Sequence, residues 1–131
     1  TTLFRSLTAA AWFADAYPDI PADVLQAISR HTTGAPDMSD LDMVLFIADA
    51  LEPNRRFAGI DELRAEVGKE TLEDLFVSVE SFWITLIVGR KRTLHPDTFA
   101  VWNTYAARYR NRHPHERGRG NWDAKPFEAL E

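Results

Sequence analysis

The sequence has no cysteine, which excludes both disulfide bonds and cysteine-ligated metal sites. Neither a disulfide framework nor a thiolate zinc site can form, so any metal ion would be held by histidine and carboxylate side chains. The chain also has no apolar run near the roughly 20 residues of a membrane-spanning helix, and its first residues do not follow the pattern of a signal peptide. We therefore expect a soluble, cytoplasmic protein with no membrane partner.

The sequence also has fewer basic residues than acidic residues. Lysine and arginine number 15 against 20 aspartates and glutamates, which gives a formal net charge of −5. A general nucleic-acid-binding domain is usually basic, so we expect no nucleic-acid partner, although a nucleotide substrate remains allowed. The chain of 131 residues is long enough for one domain with a core, and two domains would not fit comfortably.

The two ends of the chain differ in composition from its middle. The sequence does not begin with methionine, and residues 1–6 (TTLFRS) read as a non-native leader. Residues 111–131 are charged and contain glycine and proline, which is typical of a disordered, flexible tail. Within it, His113 and His115 lie among arginines, and a solvated tail is favoured over contact with nucleic acid or an acidic partner. The folded part is therefore predicted to cover residues 7–110.

Between these ends, apolar residues recur at helical spacing and no segment alternates in the manner of a strand. The predicted fold class is all-α, with about five helices. Ser39 with Asp42 and Thr71 with Asp74 have the spacing of capping boxes, and Pro53 is expected to end the helix that begins after Ser39. Longer helices are predicted at 7–17, 22–30, 39–52, 71–89 and from Pro96 onward, with a short one starting near Ile60.

The helical stripes predict which side chains face the core. In the helix capped by Ser39, the inward residues are expected to be Leu41, Val44, Leu45, Ala48 and Leu51. In the helix capped by Thr71, they are expected to be Leu72, Leu75, Phe76, Val79, Trp83, Leu86 and Ile87. The tryptophans predicted to lie in the core are Trp12, Trp83 and Trp102.

His31 and Asp49 are the residues whose types and positions point to metal chemistry. His31 falls where a helical pattern stops, and a neutral imidazole there is a suitable ligand for a divalent ion. Taken alone, an ordinary histidine stabilised by the helix dipole explains it better. Asp49 interrupts an apolar run, where an ionised carboxylate must be paired, metal-bound or turned to solvent. The structural alternative for Asp49 is an ion pair with Arg55 or Arg56.

Arg55 is also a candidate phosphate clamp. Its planar guanidinium can bind phosphate oxygens through two parallel hydrogen bonds and keeps its charge at any working pH. The alternative is a surface ion pair with Asp61 or Glu62, and the residues alone do not decide between the two.

The loop 32–34 and His95 are weaker candidates for nucleotide binding. The loop residues Thr32, Thr33 and Gly34 offer hydroxyls and backbone amides to a phosphate, although an ordinary turn has the same composition. His95 is better explained as the start of the last helix than as part of a nucleotide pocket.

A series of short motifs, in fixed order, resembles one known protein family. The motifs are His31-Thr32-Thr33-Gly34, Met38-Ser39, Phe46-Ile47-Ala48-Asp49, Glu52-Pro53-Asn54-Arg55, Gly59 with Leu63-Arg64, and Leu94-His95-Pro96-Asp97-Thr98. Together they resemble the C-terminal half of the HD-domain hydrolases of the YqeK type, over about residues 7–109. Members of that family cleave diadenosine tetraphosphate symmetrically to two ADP. The resemblance implies the helical HD-domain fold.

The resemblance also implies roles for the matched residues. His31 corresponds to a metal-coordinating histidine, and Asp49 to the final aspartate of the His, His-Asp, Asp metal set, which makes Asp49 a catalytic residue. Arg55 would hold the phosphate chain of a dinucleoside polyphosphate or ADP-like nucleotide. The other substrate-binding residues would be Thr32, Thr33, Gly34 and His95. The implied cofactor is a dinuclear pair of divalent metal ions, iron first and manganese or cobalt as alternatives, which activates a water for attack on an inner phosphorus.

The remaining metal ligands of the family pattern come from helices that precede Leu7 and are not in this sequence. An open catalytic metal site generally needs at least three protein ligands, so we expect the chain alone to bind metal weakly and to be nearly inactive. Apolar surface that normally packs on those helices would be exposed, so association, for instance into a homodimer, is expected. Two other interpretations stay open: a non-catalytic helical interaction module, and an HD hydrolase that acts on another nucleotide.

Overall fold

The computed structural model describes residues 2–115, with side chains from Arg5 onward, and all regular secondary structure in that range is helical. The helices are α1 Thr2–Ala16, α2 Ala22–Arg30, α3 Asp40–Ala50, α4 Ile60–Ala65, α5 Leu72–Gly89 and α6 Pro96–Arg112. The predicted all-α class is confirmed. Within the same range, no helix is both long enough and apolar enough to cross a membrane.

Helix α5 lies at the centre of the packing. Helices α1 and α2 pack together, α2 packs on α3, and α5 contacts both α3 and α6. The Phe76 ring of α5 is fully buried, with the rings of Phe46 and Tyr105 edge-on to it at centroid distances of 5.0 and 5.1 Å. Such aromatic pairs contribute about 0.5–1.5 kcal/mol each beyond the area that they bury. The centre of α5 is therefore a firm base for the residues that project from its other faces.

Helix starts follow the predicted caps. The Ser39 hydroxyl accepts a hydrogen bond from the Asp42 backbone N–H (3.1 Å), and the Asp42 carboxylate accepts one from the Ser39 backbone N–H (3.0 Å). This is the predicted capping box. The Thr71 hydroxyl caps α5 in a similar way, and the His95 imidazole accepts a hydrogen bond from the first turn of α6. His95 therefore sets the start of the last helix, as its sequence position indicates.

The buried face of α3 differs from the predicted stripe. Its buried residues are Asp42, Met43, Phe46, Ile47 and Ala50. Leu41 and Val44 from the predicted stripe are instead exposed, at 38% and 49%. Apolar residues occupy most positions around α3, so their periodicity alone does not select a face.

A buried carboxylate explains which face α3 turns inward. The Asp42 side chain is fully buried and accepts hydrogen bonds from Gln26 (2.9 Å) and Arg30 (3.0 Å), both on α2. Burial opposes ionisation of Asp42, but these hydrogen bonds and the one from Ser39 hold its pKa below the usual value. The charged pair between α2 and α3 therefore orients α3, and the capping role expected for Asp42 is only part of its function.

Helix α1 departs from the prediction in its start and in its burial. It begins at Thr2 and not near Leu7, and Ser6 is buried. Trp12 is 59% exposed, so its assignment to the core is wrong. Among the described residues, α1 packs mainly on α2, which leaves much of its apolar surface in solvent. Trp83 and Trp102, in contrast, are partly buried and pack against the core.

The folded part also extends beyond the predicted boundary at residue 110. Helix α6 continues to Arg112, whose guanidinium lies 2.6 Å from Asp74, and the His113 imidazole donates to the same carboxylate at 2.8 Å. Burial opposes ionisation of Asp74, and these two partners hold its pKa below the usual value. The prediction that residues 111–113 belong to a solvated tail is therefore wrong, and the predicted disorder of 116–131 falls outside the described residues.

Candidate functional site

A cavity of about 690 Å³ lies where α1, α3 and α5 face one another. Of the residues singled out in the sequence, His31, Thr32, Asp49 and Arg55 line its wall. The remaining lining residues are Arg5, Ser6, Ala9, Phe46, Ala50, Glu80, Trp83, Ile84, Leu86, Ile87, Arg90, Arg92 and Thr98. The structure thus brings together the two proposed metal ligands and the proposed phosphate clamp, which are separated by up to 24 positions in the chain.

His31 is held in one ring orientation by its own helix. It is the C-cap of α2, and its Nδ1 lies 2.5 Å from the Ile28 carbonyl oxygen. Because a carbonyl can only accept, Nδ1 must carry a hydrogen, and the neutral ring then has its lone pair on Nε2. Metal-binding histidines commonly have this arrangement, in which the second ring nitrogen donates to a backbone carbonyl.

Asp49 and Arg55 form an ion pair at the cavity wall. The guanidinium donates from Nε to the Asp49 backbone carbonyl (2.8 Å) and from Nη2 to the carboxylate (3.2 Å). This pair is the structural alternative that the sequence left open for Asp49. The two side chains are 43% and 35% exposed, and partly solvated pairs contribute little to stability, so their contact can be exchanged for a ligand at small cost. The alternative for Arg55, an ion pair with Asp61 or Glu62, is not formed among the described residues, since Arg55 pairs with Asp49 and Asp61 pairs with Arg64.

Arg64 fixes the loop that carries Arg55. Its guanidinium donates to the backbone carbonyls of Leu51 (3.0 Å), Glu52 (2.7 Å) and Arg55 (2.8 Å). These carbonyls follow the end of α3, where a helix leaves acceptors unsatisfied. One side chain of α4 therefore sets the path of the chain from Asp49 to Arg55. The resemblance includes Arg64, but the residue types alone gave no sign of this role.

A stacked tryptophan also restrains the Arg55 side chain. The guanidinium carbon lies 5.2 Å from the ring centroid of Trp83 on α5, within the range of a cation–π contact. The Phe57 ring packs edge-on against the same indole at 5.2 Å. Trp83 is therefore part of the cavity wall as well as a neighbour of the core.

Residues of the loop 31–34 have different surroundings: some line the cavity, and Gly34 packs against α6. The Thr32 hydroxyl lines the cavity and lies 2.6 Å from the Ser6 hydroxyl. Thr33 and Gly34 are not in the cavity wall. Gly34 has φ +73°, and a Cβ at this position would lie 3.2 Å from Val101 of α6, so the packing and the backbone both require glycine here.

Sequence reasoning missed several lining residues. Glu80 is buried and interrupts an apolar stretch of α5, and this interruption is the one sequence signal that marks it. Arg90 and Arg92 follow the end of α5 without a motif that indicates a cavity, and Arg5 and Ser6 lie within the predicted leader. His95, which was a candidate substrate-binding residue, is not in the wall, although Thr98 of the same motif is.

The described residues do not contain a complete metal site. Across residues 2–115, no group of three or more histidine, aspartate or glutamate side chains is close enough to hold an ion. His31 and Asp49 line the same cavity with suitable ligand atoms, but they supply two ligands only. Any third ligand would have to come from outside this set.

Comparison with known proteins gives matches over part of the chain. No family model matches. The chain is 42% identical over 81 residues to a protein of Halalkalibacterium halodurans named symmetrical bis(5'-nucleosyl)-tetraphosphatase, and 37% identical over 81 residues to the Bacillus subtilis protein of the same name. Each match covers 62% of this chain and 43% of the relative. The chain thus spans less than half the length of these relatives and matches their C-terminal part.

A solved structure is similar as well. It is described as an HD superfamily hydrolase involved in NAD metabolism, from Clostridium acetobutylicum, and is 33% identical with a TM-score of 0.69. The alignment covers 79% of this chain and 54% of that one. The resemblance inferred from the motifs is confirmed, and the fold of the described helices is similar to that of an HD superfamily hydrolase.

Proposed function

We propose that this chain is part of a metal-dependent phosphohydrolase of the HD superfamily that cleaves diadenosine tetraphosphate to two ADP. The observation that carries the proposal is the meeting of His31, Asp49 and Arg55 at one cavity, in a chain similar to symmetrical bis(5'-nucleosyl)-tetraphosphatases. Their residue types provide a neutral nitrogen ligand, a carboxylate ligand and a fixed positive charge. This is the combination that hydrolysis of a phosphoric anhydride requires.

His31 and Asp49 are suited to hold a divalent ion. The free Nε2 of His31 and the half-exposed Asp49 carboxylate are the donor atoms, in a cavity that belongs to both. A divalent ion pair, with iron, manganese or cobalt as the candidate metals, would acidify a bound water and neutralise phosphate charge. The ligands needed to complete the set are proposed to come from outside the described residues. The chain alone is therefore expected to bind metal weakly and to show little activity.

Arg55 holds the phosphate chain in this proposal. Trp83 and the Asp49 carbonyl keep the guanidinium at the cavity wall, so binding a phosphate costs it little additional side-chain entropy. Arg5, Arg90 and Arg92 line the same cavity and favour a highly anionic ligand in a chain whose overall charge is negative. The Thr32 hydroxyl can donate to the same ligand.

The proposal is tested by supplying the further metal ligands from a relative. This chain, joined to the N-terminal part of the Halalkalibacterium halodurans relative, is assayed against diadenosine tetraphosphate with Mn²⁺, Fe²⁺ or Co²⁺, beside the 131-residue chain alone. We expect turnover by the joined protein only, with ADP as the sole product. Turnover by the short chain at an equal rate would contradict the shared metal site.

Variants of the joined protein separate the proposed roles. Asp49→Ala should abolish turnover without loss of helicity, while Arg55→Ala should mainly raise KM. Glu62→Gln, at an exposed position outside the cavity, is the matched control. Persistent activity in Asp49→Ala would refute the assignment.

Another nucleotide substrate is the second candidate, because the similar Clostridium acetobutylicum structure is described as involved in NAD metabolism. A substrate panel that includes dinucleotides with a shorter phosphate chain decides between them. If the joined protein hydrolyses nothing and binds no metal, the interpretation as a helical interaction module replaces both.

A further inference from the structure

Glu80 is a buried carboxyl group to which the proposed reaction gives no role. It projects from the middle of α5, is 3% exposed, and lines the same cavity as Asp49 and Arg55. Among residues 2–115 it has no hydrogen-bond or ion-pair partner. The other buried carboxylates differ in this respect, because Asp42 and Asp74 are each bound by an arginine.

A buried carboxyl group without a partner is costly to the fold. Removing it from water penalises the charged form, and burial raises the pKa of Glu80 to about 7. An apolar residue at this position would avoid that penalty. A ligand that forms hydrogen bonds with the carboxyl group would account for its presence at the cavity wall.

A second polar group on the same turn of α5 also lacks a partner. The indole N–H of Trp83, three residues after Glu80, is buried and makes no hydrogen bond within the described part of the chain. Unsatisfied buried polar atoms are rare in folded proteins. The unpartnered indole N–H lies one turn from the buried Glu80 carboxyl group, and both residues line the same cavity, which points to a polar ligand group on this side.

The ligand group that faces Glu80 should not be a phosphate. An anionic oxygen beside a buried carboxylate would be repelled, and burial without a cation is what perturbs Glu80. Ile84 and Ile87, four and seven positions after Glu80 on the same helix, also line the cavity, as does Phe46 of α3, and all three are apolar. An uncharged, partly apolar group with hydrogen-bond donors fits this surface, and the nucleoside portion of a nucleotide has both properties.

We infer that Glu80 binds the nucleoside end of the nucleotide ligand, accepting hydrogen bonds from its base or ribose, while the arginines of the cavity hold the phosphates. The inference rests on the proposed function, because it assumes a nucleotide in this cavity. Glu80 acts here as a residue of binding and specificity and takes no part in bond cleavage. An amino group of the base and the ribose hydroxyls are the donors that a carboxyl group can accept.

The test compares a ligand that has a nucleoside with one that lacks it. Binding of ADP and of inorganic pyrophosphate to the 131-residue chain is measured by calorimetry for wild type, Glu80→Leu and Glu80→Gln. Glu62→Gln, at an exposed position outside the cavity, is the matched control, and circular dichroism verifies the helicity of each variant. We expect Glu80→Leu to weaken ADP binding about tenfold, the size of one lost hydrogen bond in a buried site, and to leave pyrophosphate binding unchanged. Glu80→Gln, which keeps one carbonyl oxygen, should have a smaller effect in the same direction.

Further ligands distinguish the two nucleoside groups. If the ribose is the partner, 2'-deoxy-ADP should bind to wild type as weakly as ADP binds to Glu80→Leu. If the base is the partner, exchange of ADP for GDP should change affinity in wild type and not in Glu80→Leu.

Several results would overturn the inference without touching the proposed function. Equal effects on ADP and pyrophosphate, or unchanged ADP binding in both variants, would show that Glu80 does not contact the nucleoside. Tighter pyrophosphate binding in Glu80→Gln would place the carboxyl group beside the phosphates. If wild type binds neither ligand at millimolar concentration, the inference about Glu80 fails, whereas the proposed function is decided separately by the turnover of the joined protein.

Discussion

Replacement of Glu80 by glutamine should stabilise the protein, and more strongly at high pH than at low pH. The pKa of Glu80 in the folded chain is about 7 against a usual 4.5, so the folded state favours the protonated form. At 1.36 kcal/mol per pH unit, this difference corresponds to about 3 kcal/mol at full ionisation. The favourable contribution of the protonated form is complete below the unfolded pKa and is lost as the pH rises through about 7.

The assay is urea unfolding of wild type and Glu80→Gln at about pH 5 and about pH 8, followed by circular dichroism. The amide does not titrate, so the difference between the two proteins isolates the Glu80 carboxyl group from every other titrating residue. Between these pH values, the advantage of Glu80→Gln in free energy of unfolding should grow by about 2.5 kcal/mol. Glu62→Gln should show no such growth.

Parallel stability profiles for wild type and Glu80→Gln would refute the reasoning. They would mean that the carboxyl group is hydrated, or finds a partner that the described residues do not supply, and the case for a ligand at this position would be lost.

Three further substitutions test the packing and the site. Phe76→Ala should cost about 3–5 kcal/mol in free energy of unfolding, because Phe76 is fully buried, whereas Phe99→Ala at a 53% exposed position should cost little by the same urea titration. Gly34→Ala should cost about 1–3 kcal/mol, since it combines a positive φ with a contact to Val101, and no stability loss in thermal unfolding would contradict that geometry. Arg64→Lys should weaken pyrophosphate binding to Arg55 in calorimetry, because a lysine cannot hold three carbonyls; wild-type affinity would show that the loop keeps its path without Arg64.

Sequence alone was most successful where the controlling chemistry is local. The caps at Ser39 and Thr71 and the end of α5 at Gly89 depend on residues within one turn of each other, and all three lie where predicted. The face of α3 could not be predicted in this way. Its orientation depends on a buried ion pair with Arg30 of another helix, while apolar residues surround the helix on most sides.

In the candidate site, too, local motifs were predictable from the sequence, and features that depend on distant contacts were not. Motifs in fixed order selected His31, Asp49 and Arg55, and the structure brings all three to one cavity. Glu80 was not found because a single acidic residue in an apolar helix has no local partner to reveal it, and its significance depends on what α3 and α1 place opposite. The end of the folded part was also misplaced, because Asp74 holds Arg112 and His113 across 38 and 39 positions of sequence.

The arrangement around Arg64 limits how this region can change length. The Arg64 guanidinium donates to the backbone carbonyls of Leu51, Glu52 and Arg55. It also donates to the carboxylate of Asp61 in the same helix. One inserted or deleted residue between Arg55 and Arg64 would carry that side chain out of reach of acceptors fixed at the end of α3. The eight residues between them, four in a loop and four in the first turns of α4, therefore act as a spacer of set length, more tolerant of substitution than of insertion.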